Sequence, residues 1–122
     1  MKTKFHGNDI VEIIENDIII KKVDDVFGLF FINDCSSIIL KKQNISNDFF
    51  VLSTGLAGEI LQKFSNYNKK MAIIGDFKNI ESKSLKDFIY ESNKTGQIIF
   101  VNTFEEALEI FNKVSKVCKN RL

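Results

Sequence analysis

The residues with the clearest chemical potential lie in one short run near the middle of the chain, Leu52-Ser53-Thr54-Gly55-Leu56-Ala57-Gly58. The hydroxyls of Ser53 and Thr54 stand beside a glycine, just before an apolar pattern that is typical of a helix. The start of a helix exposes unpaired backbone N–H groups and a partial positive charge, so it attracts anions. One interpretation is therefore an anion-binding or phosphorylatable loop formed by Ser53, Thr54 and Gly55.

A purely structural interpretation of the same run stays open. Ser53 or Thr54 can serve only as the N-cap of the helix, while Gly55 and Gly58 permit close helix packing. The run is not a nucleotide-binding Walker loop, because it contains no Gly-Lys-Ser or Gly-Lys-Thr and no lysine directly follows its glycines.

Four further polar residues are predicted near the carboxyl ends of strands, namely Asp34, Asp48, Asp76 and Asn102. In open α/β sheets, ligands gather beyond these ends, so the four side chains would form a shared rim with Thr54. Asp and Asn also favour turns and helix caps for local reasons. A turn or cap role is the competing hypothesis for each of them.

The sequence offers no catalytic or metal centre. His6 is the single histidine and has no second ligand at metal spacing, which argues against a zinc site or a catalytic triad. Asp76, Tyr90 and Glu91 carry usable groups, but their spacing identifies no nucleophile–base pair. We therefore predict a protein that is not an enzyme, with no cofactor and no metal.

Charge and composition narrow the class of protein. The chain has 122 residues, 44% of them hydrophobic and 27% charged, which fits one globular domain over residues 1–122. Seventeen basic and sixteen acidic residues give a net charge of +1. This balance provides no electrostatic case for nucleic acid or an anionic membrane as the main partner.

The cysteines and the N-terminus predict a cytoplasmic protein. Cys35 and Cys118 are far apart and lack CxxC spacing, as reduced structural thiols would be. No apolar run approaches the roughly 20 residues that cross a bilayer. The start of the chain, MKTKFHGND, lacks the apolar core of a signal peptide.

Alternating strands and amphipathic helices must position these residues. The chain opens with an antiparallel pair of strands, residues 3–6 and 10–14, around a Gly-Asn-Asp turn. Val23, Val26, Phe27, Phe30 and Phe31 then recur at helical spacing. The later strands are predicted at 37–41, 71–74 and 97–101, and the later helices begin near Ser53, near Ser82 or Ser84, and at Thr103 with its capping-box partner Glu106. The predicted order is β-β-α-β-α-β-α-β-α, a mixed sheet with right-handed crossovers and helices packed against it.

Two surfaces have competing interpretations. Phe49-Phe50, in the loop before the second helix, are either core residues beneath the loop or an exposed patch that marks an interface. The polar side of the third helix is either solvated or recognises a protein partner; its residues are Lys86, Asp87, Tyr90, Glu91 and Asn93.

The layout resembles the STAS domain, the fold of bacterial anti-sigma factor antagonists. In that family Asp-Ser-Ser-Gly-Leu opens the second helix, and the second serine is phosphorylated. Leu52-Ser53-Thr54-Gly55-Leu56 occupies the equivalent place, with leucine for the acidic residue and threonine for the phosphoacceptor serine. The runs 70–75, 100–103 and 105–108 resemble the family's later strands and closing helix. The resemblance implies a regulatory fold, phosphorylation at Thr54 and a kinase-type protein partner.

Two longer runs are similar to a bacterial family called domain of unknown function 4180. They are Thr54-Gly55-Leu56-Ala57-Gly58-Glu59-Ile60-Leu61-Gln62-Lys63-Phe64 and Ser84-Leu85-Lys86-Asp87-Phe88-Ile89-Tyr90-Glu91-Ser92-Asn93. This similarity extends from about the first strand to the last helix and implies no activity.

Two functions lead from the sequence, ahead of an enzyme that would use Asp76, Tyr90 or Glu91. The first is a regulatory domain that binds a protein partner through the surface around Ser53, Thr54 and Gly55, with phosphorylation blocking the docked state. The second is a small-molecule or nucleotide-binding module at the same helix N-terminus, with Asp76 and Asn102 nearby. The sequence sets neither the oligomeric state nor the identity of a partner.

Overall fold

One five-stranded sheet and four α-helices make up the chain as the computed structural model describes it, over residues 2–7 and 9–120 with side chains as far as position 112. The strands are β1 (Lys2–His6), β2 (Ile10–Ile14), β3 (Ser37–Lys41), β4 (Lys70–Ile74) and β5 (Ile98–Val101), and the helices are α1 (Val23–Asn33), α2 (Leu56–Tyr67), α3 (Lys83–Thr95) and α4 (Phe104–Asn120). This α/β order is the one that the sequence predicts.

The strands lie side by side in sequence order, β1-β2-β3-β4-β5. β1 and β2 pair antiparallel as a hairpin, and β2 to β5 are parallel neighbours. Because every crossover moves in the same direction across the sheet, right-handed connections place α1, α2 and α3 on one face. α4 follows the last strand and covers the opposite face.

Alternating strand residues feed two apolar layers. On the α1–α3 face, Ile38, Leu40 and Met71 are fully or almost fully buried against residues of the first three helices. On the α4 face, Ile39 and Ala72 pack with Ala107 and Phe111, among others. The central strands are thus buried on both faces, which explains their continuous apolar runs.

Both edges of the sheet are protected from further pairing. β1 carries the exposed lysines Lys2 and Lys4 along one edge. On β5, the side-chain amide of Asn93 in α3 forms two hydrogen bonds with the backbone of Phe100. The N–H of Phe100 donates to Asn93 Oδ1 at 2.7 Å, and its carbonyl oxygen accepts from Asn93 Nδ2 at 3.4 Å. Asn93, which the sequence places on a solvated or recognition face, therefore closes a strand edge.

The predicted apolar face of α1 is wrong at one position. Val23, Val26 and Phe30 are buried as expected, but Leu29 completes the buried set and the side chain of Phe31 is 88% exposed. Residues one apart on a helix differ by about 100° in direction, so Phe31 turns away from the sheet once Phe30 faces it.

The segment between β3 and α2 consists of three short 3-10 helices, at Lys42–Asn44, Asn47–Phe50 and Leu52–Thr54. Phe49 is fully buried, with ring centroids 6.5 Å from Phe88 and 6.3 Å from Phe100. Phe50 is half-buried. The core interpretation of this pair is therefore confirmed, and the loop is anchored to the α1–α3 face by an aromatic contact.

The predicted N-caps are present, but in the described residues the return bond of the capping box is shifted, since the Glu106 carboxylate accepts from the N–H of Asn102 and not from that of Thr103. Ser82 Oγ accepts from the backbone N–H of Leu85, and Thr103 Oγ1 accepts from that of Glu106. Gly96 ends α3 in the left-handed conformation, with φ of 82°. These local contacts fix where α3 and α4 begin and where α3 returns to the sheet.

Candidate functional site

The run that opened the sequence analysis forms a tight exposed turn. Ser53 and Thr54 belong to the 3-10 helix Leu52–Thr54, and Gly55 is the N-cap of α2 with φ of 82°. The predicted start of this helix at Ser53 is therefore wrong, because Gly55 breaks the chain direction before α2 begins. The side chains of Ser53 and Thr54 and the backbone of Gly55 face solvent.

The two hydroxyls differ in their hydrogen bonding. Thr54 Oγ1 lies 2.6 Å from the carbonyl oxygen of Asp48 and 2.9 Å from that of Val51, and it accepts from the N–H of Leu56 at 3.4 Å. The Ser53 hydroxyl has no hydrogen bond to any part of the chain that the structure describes. Thr54 therefore ties the 3-10 segment to the first turn of α2, while the exposed Ser53 hydroxyl takes no part in holding the turn.

The glycines of this run have a conformational role. A Cβ built on Gly55 or Gly58 meets no atom within 4 Å. Close helix packing, the structural explanation offered for both glycines, is therefore wrong. Gly55 is required because residues with a Cβ rarely adopt its backbone conformation.

Thr54 lines a depression of about 290 Å³ between the N-termini of α1 and α2. Two lysines, Lys21 and Lys22, lie on its α1 side. Three carboxylates share the lining, those of Asp24, Asp48 and Glu59. The acidic groups outnumber the basic ones, so this lining does not favour a phosphate-bearing ligand despite the two helix N-termini.

The predicted rim comes together only in part. Asp48 lines the same depression as Thr54. Asp76 and Asn102 follow β4 and β5 at the expected edge of the sheet, but neither lines it. Asp76 Oδ1 accepts from the N–H of Lys78, and the N–H of Asn102 donates weakly to Glu106, so both serve turns and caps.

Asp34 lies at the amino ends of the parallel strands, opposite to the ends that Asp76 and Asn102 follow. It follows α1 in the left-handed conformation, with φ of 50°, and precedes β3. Its expected position near a strand carboxyl end is therefore wrong, since the chain enters the parallel sheet there.

A buried asparagine that the sequence analysis did not single out holds the site's loops together. Asn44 is fully buried; its Nδ2 donates to the carbonyls of Glu15 and Asp17 at 2.9 and 3.0 Å, and its Oδ1 accepts from the N–H of Lys41 at 2.9 Å. Its own carbonyl accepts from the N–H groups of Ile19 and Ile20. Asn44 thereby joins the loop before α1 to the loop before α2. The sequence gives no signal of this role, because Asn44 is one polar residue among several in a polar loop.

The other ends of α1 and α2 carry an exposed aromatic patch. Phe27 contacts Phe64 and Tyr67 edge-on, each at a centroid distance of 5.7 Å. Beside them Phe31 is 88%, Ile32 79% and Tyr67 64% exposed. A depression of about 580 Å³ opens here, and Asp34 and Lys69 also line it. We call Phe31 and Tyr67, which both line this depression, the aromatic patch.

The histidine and the buried cysteine take structural positions. His6 Nε2 lies 2.8 Å from Glu12 Oε1, and its ring packs at a tilt of 52° against that of Phe104, with centroids 4.7 Å apart. Burial, with a smaller contribution from the Asp9 carboxylate, raises the pKa of the Cys35 thiol to about 11. Such a thiol is a weak nucleophile at neutral pH. The side chain of Cys118 lies outside the described part of the chain.

Among the residues that the structure describes, no three His, Cys, Asp or Glu side chains are grouped so that they could hold a metal ion. Across the same residues, no helix has both the length and the apolar character needed to span a bilayer.

Comparison with known families gives one match. The model of a family described as a domain of unknown function (DUF4180) matches residues 5–111, from β1 into α4. The chain belongs to this family. The matched residues include the sheet from Phe5 onward, the 53–55 turn and the aromatic patch. The DUF4180 domain therefore includes both ends of helices α1 and α2.

No curated protein matches the chain. No solved structure matches it either, so the resemblance to the STAS fold stays a prediction.

Proposed function

We propose that this DUF4180 domain is a non-enzymatic protein-interaction module. Its partner is another protein, which docks along the outer surface of α1 and α2. Phosphorylation at Thr54 or Ser53 regulates the docking.

The observation that carries the proposal is the aromatic patch. Phe31 and Tyr67 are 88% and 64% exposed, and with Ile32, the neighbour of Phe31, which is 79% exposed, they present roughly 400–500 Å² of accessible surface. The largest apolar patch on a monomeric protein typically measures about 300–600 Å² and often has a binding role. This area is about half of the ~800 Å² that one partner contributes to a standard interface.

The patch and the 53–55 turn belong to one continuous surface. α1 and α2 both connect parallel strands, so their N-termini share one edge of the sheet and their C-termini share the other. α2 has 12 residues and is therefore about 18 Å long. A partner segment that presents apolar side chains to the aromatic patch would extend along this surface to the turn.

Phosphorylation would change the charge at the end of this surface. A phosphoryl group on either hydroxyl adds about −1.5 to −2 charge beside the carboxylates of Asp48 and Glu59. On Thr54 it would also remove the hydrogen bond to the Asp48 carbonyl. A partner that fits the unmodified surface would then meet added bulk and negative charge, so the modified state is the released one.

Affinity capture from native-host lysate, quantified by mass spectrometry, tests the proposal with matched variants. We expect one protein that is retained by the wild type and lost with Phe31→Lys. Tyr90→Lys is the control for Phe31→Lys, since Tyr90 is an equally large side chain, 61% exposed, on α3. The same protein should be lost with Thr54→Glu and retained with Ser84→Glu, which adds a charge in the first turn of α3.

The outcomes separate the two parts of the proposal. Capture that is unaffected by Phe31→Lys would refute the interaction surface. Loss with Phe31→Lys but retention with both Thr54→Glu and Ser53→Glu would refute regulation by phosphorylation. Circular dichroism of each variant checks that the fold is intact.

A further inference from the structure

A third depression, of about 560 Å³, lies where β3 and β4 end, beside the Asn47–Phe50 helix. We propose that this depression, the strand-end pocket, binds a small amphipathic anion. The ligand class is an apolar body that carries one carboxylate, sulfonate or phosphate group. The pocket is separate from the α1–α2 surface and does not depend on the proposed interaction.

The charge of the lining selects an anion. Lys41 and Lys42 are the charged residues of the lining, and no acidic side chain accompanies them. Neither lysine forms an ion pair with a carboxylate in the described residues, and Lys41 Nζ reaches only the neutral amide of Asn16, at 3.4 Å. Two lysines without an acidic partner therefore line one pocket, and a bound anion would supply the partner.

Lys42 is held in place. Its Nζ lies 5.5 Å from the ring centroid of Phe50 and 5.4 Å from that of Phe77. A cation held by ring faces keeps its N–H donors, so they remain available to a ligand oxygen. A Cβ built on Gly75 would come within 3.0 Å of the Cβ of Lys42 and 3.2 Å of the Phe77 ring. Glycine directly after β4 thus lets the Lys42 stem and the Phe77 ring pack close to the backbone.

Apolar side chains complete the pocket. Ile18 is 51% exposed, and Phe50 and Ile74 are half-buried in the same lining. The volume falls within the range of small-molecule sites. The carboxyl ends of parallel strands are also where ligands bind in open α/β sheets. An inorganic anion would leave this apolar surface wet, and a neutral ligand would leave the lysines unpaired, so both should bind less well.

Two probes of nearly the same shape test the proposal: 2-naphthoate, which is an anion, and 2-naphthamide, which is neutral. The 122-residue chain is titrated with each probe while backbone amide shifts are followed by two-dimensional NMR. We expect 2-naphthoate to bind with a dissociation constant of about 1 mM or lower, and 2-naphthamide at least about fivefold more weakly. The largest shifts should fall at Lys41, Lys42 and Gly75.

Variants locate the charge that matters. Lys42→Gln keeps most of the side-chain stem and should weaken 2-naphthoate about fivefold or more, and Lys41→Gln provides a second test on a half-buried lysine. Lys63→Gln, at an exposed position of α2 outside the pocket, should leave the affinity unchanged. Higher salt should weaken 2-naphthoate binding and leave 2-naphthamide unaffected.

Three results would overturn the proposal. The first is equal affinity for the two probes. The second is a set of shifts centred on the aromatic patch instead of residues 41–42 and 74–75. The third is an unchanged affinity in both Lys42→Gln and Lys41→Gln. None of these results would count against a protein partner docking on the α1–α2 surface, so the two proposals fail independently.

Discussion

Replacing Asn44 with alanine should destabilise the domain severely for a loop substitution. The side chain is fully buried and makes three hydrogen bonds of 2.9 to 3.0 Å to backbone groups. Each bond contributes about 0.5–1.5 kcal/mol, and the backbone groups left behind are only partly reachable by water. We expect Asn44→Ala to lower the free energy of unfolding by about 3 kcal/mol, which corresponds to a Tm lower by roughly 9–15 °C.

Urea denaturation followed by far-ultraviolet circular dichroism measures this loss. Gln43→Ala is the matched control, because Gln43 is the exposed neighbour and reaches only Asn16, at 3.4 Å. It should change the free energy of unfolding by less than about 0.5 kcal/mol. If Asn44→Ala is as mild as Gln43→Ala, Asn44 does not hold the two loops together and the account of how the site is positioned is wrong.

Asn44→Asp gives the same prediction a pH dependence. The new carboxylate could still accept from Lys41 N–H but would face the carbonyl oxygens of Glu15 and Asp17. Burial and these oxygens would raise its pKa above the unfolded value of about 3.9. Its stability deficit relative to wild type should therefore be largest above the folded pKa and shrink as the pH falls toward the unfolded value. A deficit that grows with acid would contradict this reasoning.

Two further predictions concern the glycines and the buried thiol. Gly55→Ala should lower the free energy of unfolding by about 1 kcal/mol or more, because the φ of Gly55 is 82°. Gly58→Ala should raise it by about 0.4–1 kcal/mol, because Gly58 lies in a helix with open space around it. Urea denaturation distinguishes the two signs, and equal effects would contradict the assigned conformations. In Cys118→Ser protein at pH 8, Cys35 should react with Ellman's reagent about 100-fold more slowly when folded than in denaturant, because its pKa is raised from 9.0 to about 11; equal rates would show an accessible, unperturbed thiol.

The order of strands and helices could be predicted because each element carries its own period and boundary signals. The run Ser-Ile-Ile-Leu-Lys of β3 is buried on both faces, and the caps at Ser82, Thr103 and Gly96 follow from local hydrogen bonding. Periodicity could not predict that Phe31 is exposed. The apolar face of α1 is wider than the part that packs on the sheet, and the sequence does not show which side of that face remains in solvent. The family assignment also followed from the sequence, over residues 5–111.

The candidate site was predicted less completely. The exposure of Ser53 and Thr54 and the proximity of Asp48 agree with the predicted loop, but Asp76 and Asn102 lie outside that depression. Asp76 and Asn102 each follow a strand, but this fact alone does not tell how far along the row of strand ends they lie from Thr54. Asn44 was missed because its role depends on carbonyls that lie 27 and 29 residues away in the chain.

Site-specific photo-crosslinking in native-host cells tests the interaction surface most directly. Benzoylphenylalanine replaces Phe31, Tyr67 or, as the control, Tyr90, which is exposed on α3. The account predicts the same crosslinked protein at positions 31 and 67, absent at position 90 and reduced when Thr54→Glu is added. Adducts of identical pattern at all three positions, or none at 31 and 67, would contradict it. An adduct of exactly two copies of this chain would show that the surface serves self-association instead of a separate partner.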